Sequence, residues 1–504
     1  MDIRQYLQQH RERILAACVE ILKFKTVSGA GDPAGQETYR SEIKRCLNFL
    51  HRLSAELGMA FRNYDDRVAV IEHKGADRPV MGIPTHIDVV PTGENWTHPP
   101  FGGVIDEQGV LWGRGTLDDK IPLIECLFGL WAAANLAPGF PYCCRIIVGT
   151  QEETGDWSDM EYFKQKEGPF DFGFTPDADF PIINGEKGFY NPHIMFRWNP
   201  ADFDPALPGL PARFLWARSG ERANVVPDLA EILIECDAAD RSAVAQTLMS
   251  RSNQFLLTRP EVKMTIEPQT RNGDGPCRIR ISFIGKRAHS STPWAGHNAA
   301  VDAMNFMAAM DCFPAPAVKT ANFLYHRHKD MFASGWNAAF EDSYTGKNTV
   351  NLGVVELTPQ GAKAIVNFRP PLGLSVESLR SKVAGLCATA STQLGLQVAV
   401  EEPTRSLDAL FVAPNAHPGF FSAMQRAYRD VVGETAELRA IGGTTYAKAF
   451  PNTVSFGPIL SDHGEPPLIH QVDERVTLDA VFRNTEIYGR TMLYLAEQLS
   501  GSAG

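Results

Sequence analysis

The run Gly113-Arg114-Gly115-Thr116-Leu117-Asp118-Asp119-Lys120 decides the reading of this chain. Two neighbouring acids close a glycine-punctuated turn, and a mostly apolar stretch over 120–135 follows with helical character. Pro122 is tolerable there because it falls in the first turn. Adjacent carboxylates repel, and inside a protein they need a cation or hydrogen bonds. Upstream, 67–73 and 80–86 read as strands, the second leading into His86-Ile87-Asp88. Downstream, the short β-rich run 145–151 leads into Glu152-Glu153, and Asp177 and Asp179 follow apolar Phe174. Chemistry-bearing residues placed after successive strands predict one site at the carboxyl ends of a sheet.

Taken singly these signals are weak. His-x-Asp alone marks little, an Asp in a glycine-rich turn is commonly turn chemistry, and any one of the acids could be surface. The joint pattern is what counts: His86, Asp118, Glu153 and Asp177 each close an apolar segment. It points to a two-metal hydrolase in which Asp118 is shared between the metals.

The 504 residues exceed one ordinary core, so two or more domains are expected. Helical spacing marks 3–22 and a second helix through Ile43, Leu47, Leu50 and Leu57. Strands alternating with helices indicate an α/β layer with a largely parallel sheet. Near residue 190 the texture changes. Pro200, Pro205, Pro208 and Pro211 open a region of strand candidates at 213–216, 229–235, 262–266, 278–285, 350–357, 364–369 and 396–400. Helix candidates lie between them at 240–252, 298–311 and 376–394. After about 403 the first texture returns, with a helix near 419–432, a strand at 453–457 and a closing helix over 478–498. The expected fold is therefore an α/β catalytic domain, residues 1–190 and 403–504, with a largely parallel mixed sheet flanked by helices. An α+β lid domain, 191–402, is inserted in it.

A net charge of −11 argues against a nucleic-acid-binding surface. No run of about 18 apolar residues suggests a membrane span. The amino terminus lacks a basic segment followed by an apolar one, so no signal peptide is expected. Nine cysteines, odd in number and scattered, suit reduced thiols in a cytoplasm. Cys143-Cys144 reads as a buried structural pair.

His86-x-Asp88, Gly113 to Lys120, Glu152-Glu153-Thr154-Gly155, Asp177 and the late His470-Gln471-x-x-Glu474 together resemble the M20 family of metallopeptidases, in nearly the whole chain and in the right order. The stretch 174–187, Gly442-Gly443-Thr444-Thr445-Tyr446-Ala447 and the large insert resemble the PepV-type, Xaa-His-type dipeptidases. The resemblance implies two divalent metal ions, zinc first, with manganese or cobalt as alternatives. One metal would take His86, Asp177 and the bridging Asp118; the other would take Glu153, His470 and the same Asp118. Asp88 would orient His86, and Glu152 would be the general base toward a water between the metals. His470 is preferred to His463 because Gln471 and Glu474 match the family context.

From the insert, the resemblance implies that His289 stabilises the oxyanion and that Asn224 acts near the same oxygen. Arg369 would grip the substrate carboxylate, helped by the backbone of Gly442, Gly443 and Thr444. Ile121 stands where the family usually has glycine, and Ser290-Ser291-Thr292 departs from its commonest lid pattern. The expected activity is hydrolysis of dipeptides with a free carboxyl terminus, by a monomer. A related N-acyl-amino-acid deacylase or desuccinylase would use the same metals. A non-catalytic protein would have lost Glu152 or a ligand, and neither is lost.

Overall fold

In the computed structural model, residues 2–28, 33–137, 139–199, 201, 203–269 and 276–501 are described. The chain forms two units, Met1–Glu186 with Leu410–Gly504, and Lys187–Ala409. Each has its own apolar core.

The first unit is built on a mixed sheet whose centre is parallel. Val80–His86 runs parallel to Cys143–Gly149 on one side and to Phe172–Thr175 on the other, and Thr453–Ser455 extends the parallel set. Antiparallel Val68–Lys74 and Ala60–Tyr64 close one edge. The Val80–His86 strand is buried at every position, as expected for a strand covered on both faces. Helix Lys120–Leu136 is buried nearly throughout, so it is apolar all round rather than on one stripe. It packs on helix Leu478–Gly501 through glycines. A Cβ on Gly129 would come within 2.9 Å of the Gly489 nitrogen, so a side chain there would force the helices apart.

Three details differ from expectation. The single helix over 3–22 is two, Ile3–Gln9 and Arg11–Leu22, broken at His10, whose ring packs between Tyr6 and Trp131. The unit boundaries fall at Glu186/Lys187 and Ala409/Leu410, not at 190/191 and 402/403. The reason is pairing: strand Ile182–Glu186 belongs to the first sheet, and Leu410–Phe411 pairs directly against its end. Helices at Ser158–Glu167 and Ala315–His328 and strands at Ala60–Tyr64, Phe172–Thr175, Ile182–Glu186, His193–Arg197 and Leu438–Ile441 went unread.

The second unit is an eight-stranded sheet, antiparallel at every pairing. Its principal helices are Arg241–Leu257, Ala299–Ala309, Ala315–His328 and Val376–Leu394. All nine cysteines are free and buried, including Cys143 and Cys144. Among the described residues, no helix is long and apolar enough to cross a membrane.

Candidate metal centre

The parallel strands deliver the first residues. His86 ends its strand opposite Gly149, and Asp177 lies just beyond the end of Phe172–Thr175. The His86 ring is fully buried. Its Nδ1 lies 2.9 Å from the Asp88 carbonyl oxygen, which can only accept, so Nδ1 carries the proton. Nε2 is then the lone-pair nitrogen. It has no hydrogen-bond partner, although Asp118 Oδ1 is 2.9 Å away. Buried, unpartnered and beside a carboxylate, it is disposed as a ligand rather than as a donor. The main-chain carbonyl of Asp88 therefore orients the ring. The Asp88 carboxylate also lies beside the ring, its Oδ1 3.4 Å from Nδ1, and its two oxygens accept the N–H groups of Glu152 and Glu153 at 3.2 and 3.1 Å.

Asp118 is aimed by the turn before it. Gly115 has φ +98°, and a Cβ there would meet Lys120 Cδ at 2.9 Å, so the position requires glycine. Buried Glu474 accepts the N–H of Gly115 at 3.1 Å and of Leu117 at 2.8 Å, and pairs with buried Arg114. The Asp118–Asp119 peptide is cis. Asp119 Oδ2 accepts the His86 N–H at 3.1 Å, tying the turn to the strand end. Lys120 is buried and donates to the Phe24 carbonyl at 2.6 Å; burial lowers it to about 8.

The result is a carboxylate with a different imidazole at each oxygen. Oδ1 of Asp118 is 2.9 Å from His86 Nε2, and Oδ2 is 2.9 Å from His470 Nε2. Asp177 Oδ2 lies 3.9 Å from His86 Nε2, and Glu153 Oε2 lies 3.2 Å from His470 Nε2. Two three-residue groups, His86–Asp118–Asp177 and Asp118–Glu153–His470, each hold their ligand atoms within 4.8 Å of one another. His470 sits at φ +62°, a left-handed conformation that a non-glycine residue adopts only when its surroundings hold it. Nearby Asp473 is anchored on Thr97, through the N–H and the hydroxyl, both at 2.7 Å.

The electrostatics fit divalent cations. Burial alone would raise Asp118, but the His470 and His86 rings hold its carboxyl well below the usual range. Burial, then Asp118, pushes Asp177 well up, and the same two causes raise Glu153. Burial opposes charge on both imidazoles, yet Asp118 and Asp88 raise His86, and Glu153 with Asp118 raises His470 to about 11. Burial, then Asp177, pushes Glu152 well above the carboxylate range. Four acids and two imidazoles thus compete for protons in one place. Cations with oxygen and nitrogen preference would replace those protons.

Further supports had no signature in the sequence. Asp159 Oδ2 accepts the N–H of Thr150 at 2.7 Å and of Gln151 at 2.9 Å, and the hydroxyl of buried Tyr446. Tyr446 also stands edge-on to His86. Buried Glu186 takes the Thr445 N–H at 3.2 Å and its hydroxyl at 2.8 Å, fixing the end of Gly442-Gly443-Thr444. His463 lies 3.4 Å from Glu434 and in neither metal group.

In the second unit, Asn224 and His289 are neighbours. The Ser290 N–H donates to the Asn224 carbonyl at 2.9 Å, and Val225 bridges to His289. His289 Nδ1 is 2.6 Å from Ser291 Oγ. Arg369 ends its strand opposite Thr349, whose hydroxyl donates to the Ser290 carbonyl at 3.3 Å. The three candidates thus gather on connected segments of that unit.

Comparison with known proteins shows the family. The family model for peptidase family M20/M25/M40 matches residues 82–494. Putative dipeptidase YtjP of Bacillus subtilis (strain 168) is 29% identical over 479 residues, 94% of this chain and 94% of that protein. The crystal structure of human carnosine dipeptidase 1 aligns at TM-score 0.55 and 15% identity, over 98% of this chain and 99% of that one. The structure of the di-peptidase Dug1p from Saccharomyces cerevisiae aligns at TM-score 0.56 and 15% identity, over 98% of both chains. These two structural likenesses concern the fold.

Proposed function

We propose that this chain, which belongs to peptidase family M20/M25/M40, hydrolyses the peptide bond of dipeptides bearing a free carboxyl terminus. One observation carries the reading: the two oxygens of Asp118 each stand 2.9 Å from a different imidazole nitrogen. That arrangement suits a carboxylate shared between two sites, with one imidazole belonging to each. His86 and Asp177 would complete one site, and Glu153 and His470 the other. Two divalent cations, zinc by preference, would supply Lewis acidity to the scissile carbonyl and make the attacking water more acidic.

Glu152 is the proposed base. It takes a proton from the water at its carboxylate oxygen and returns it to the leaving amine. Its proton affinity, raised by burial and by Asp177, suits that exchange. Asp88 holds the Glu152 and Glu153 backbone, so one buried carboxylate fixes the base and a ligand together. The resemblance to the PepV-type enzymes supports roles for His289 and Asn224 at the oxyanion, and for Arg369 with Gly442, Gly443 and Thr444 at the substrate carboxylate. Nine buried, free cysteines support a reducing compartment, the cytoplasm. The proposed state is a monomer, which sedimentation reads directly.

The test is hydrolysis of a dipeptide panel and matched N-acyl amino acids by metal-depleted protein, with zinc, manganese or cobalt restored and Glu152→Gln as control. Metal-dependent dipeptide cleavage, lost in the variant, is expected. Cleavage of the acylated compounds alone would keep the site and replace the substrate by an N-acyl amino acid. Undiminished turnover by Glu152→Gln would remove Glu152 as the base.

A further inference from the structure

A cavity lies wholly within the Lys187–Ala409 unit, and none of the residues assigned to the metals lines it. Its volume is about 240 Å³. At roughly 30 Å³ for each water in the liquid, that holds about eight waters or one molecule of amino-acid size. Two helices line it, each with one face. Asn298, Val301, Asp302 and Asn305 recur at helical spacing on Ala299–Ala309 and its cap, and Tyr325, His328 and Lys329 do so on Ala315–His328 and its cap.

The polar residues on the first helix are out of keeping with its neighbours. Ala299, Ala300, Ala303, Met304, Phe306 and Met307 are all buried apolar groups. Asn305 is only 8% exposed, yet its carboxamide makes no hydrogen bond among the described residues. His328 Nε2, in the same lining, is buried with no hydrogen-bond partner among the described residues, and such an atom is destabilising unless something else satisfies it. Asp302, also 8% exposed, spends Oδ2 on His297 Nε2 at 2.6 Å and leaves its other oxygen uncommitted. Glu261 lies near enough to act on it electrostatically. Arg259 and Lys329 add positive charge to the lining, while Val226, Val301 and Leu352 form an apolar wall.

We propose that this cavity binds a free α-amino acid. Asp302 and Glu261 take the ammonium group, Lys329 and Arg259 the carboxylate, and the Asn305 carboxamide the polar atoms between. The ligand side chain lies against the apolar wall. Amino acids are the products of the reaction proposed above, and the link to regulation rests on that reading. The connection is short. Asn298 Nδ2 donates to Asn351 Oδ1 at 2.8 Å, and Asn351 Nδ2 donates to the carbonyls of Ala223 and Val225 at 3.0 and 2.8 Å. Those carbonyls flank Asn224, and Val225 bridges to His289. Occupancy therefore bears on the segment that carries both residues.

The test is equilibrium dialysis of the full-length, metal-loaded protein against radiolabelled leucine, methionine, lysine and glutamate. Val301→Phe and Asn305→Leu fill the cavity, and the exposed Glu261→Gln alters its lining without touching the core; melting curves check that each variant folds. One molecule bound per chain is expected, about tenfold weaker in the filled variants and several-fold weaker in Glu261→Gln. No binding of any of the four, or binding unmoved by Glu261→Gln and by a filled variant that folds, would overturn the proposal. Dialysis needs no turnover, so failure of the dipeptidase reading leaves this result intact. If both hold, added amino acid changes the dipeptidase rate of the wild type and leaves that of Asn305→Leu unchanged.

Discussion

Glu474 is fully buried and Arg114 is 1% exposed, so the pair that clamps the 113–117 turn has no solvent to fall back on. Glu474→Gln keeps the shape and one acceptor for Gly115 and Leu117, but strands the guanidinium. Breaking one side of a buried ion pair costs about 3–5 kcal/mol. For a unit of this size a change of 1 kcal/mol moves the melting temperature by ~2 °C, so a fall of ~6–10 °C is expected. The measurement belongs near pH 8, because burial, opposed by Arg114, pushes Glu474 up to about 7 and the pair must be ionised to be lost. Trp96, whose ring lies 5.3 Å from the Arg114 guanidinium, reports the local transition by fluorescence. The double variant Arg114→Met/Glu474→Gln carries no stranded charge and should recover most of the loss. A single variant melting within ~1 °C of wild type, or a double variant no better than the sum of the singles, would refute the clamp.

Asp88→Asn puts an N–H₂ group where an acceptor is needed and sacrifices a charge-assisted bond to the 152–153 backbone, worth about 1.5–3 kcal/mol. If Glu152 is the base, steady-state kinetics should show kcat falling roughly 10- to 150-fold with KM little moved. Removing the metals with a chelator should abolish activity and lower the melting temperature, both restored by zinc, since cations no longer offset the crowded acids. Burial would raise Glu72, but Arg62 and directly opposed Arg145 hold it at about 2, below its ordinary 4.5. Its folded value is depressed, so its contribution is full above about 4.5 and lost as the pH falls to about 2. The melting-temperature gap between wild type and Glu72→Gln should close across that window.

Much of this was legible because the relevant signals are local. A run such as 80–86 announces a strand by composition, and His86 at its end announces what the strand carries. The same holds for Asp118 at the close of its glycine turn. Helix Ala315–His328 was not legible: Pro314 and Pro316 open it, and proline there reads as loop although it fits a first turn. The domain boundary was displaced because no single residue marks it. Strand Ile182–Glu186 joins the first sheet through partners near 410, 438 and 455, a relation invisible along the chain. Asp88 was read as the orienter of His86 because a carboxylate two residues on is the usual second partner. The backbone carbonyl of the same residue lies nearer the ring, at 2.9 Å against 3.4 Å for the carboxylate, which no side-chain pattern can encode.

The supports share one device, and it explains why a site so rich in acids does not end with its ligands. Asp88 holds the main chain at 152–153, Glu474 at 115 and 117, Asp159 at 150–151, Glu186 at 445, and Asp119 at 86. In each case a carboxylate from elsewhere in the chain accepts N–H groups of the segment that carries the chemistry. An ionised carboxylate has several lone pairs and no donor, so it can pin two amides at once, which a hydroxyl cannot do as strongly. Such bonds fix backbone rather than side chains, and a ligand on fixed backbone needs only its own rotamer set. The arrangement also divides labour by burial: the clamps sit in the interior, while the His470 side chain, 42% exposed, stands at the open side of the pair. Substitutions at the clamps should therefore loosen several catalytic atoms together, whereas substitutions at the ligands remove one contact each. Metal affinity measured across Asp159→Asn, Glu186→Gln and Asp177→Asn separates the two. The first two should weaken both sites by similar factors, and the third should weaken chiefly the His86 site.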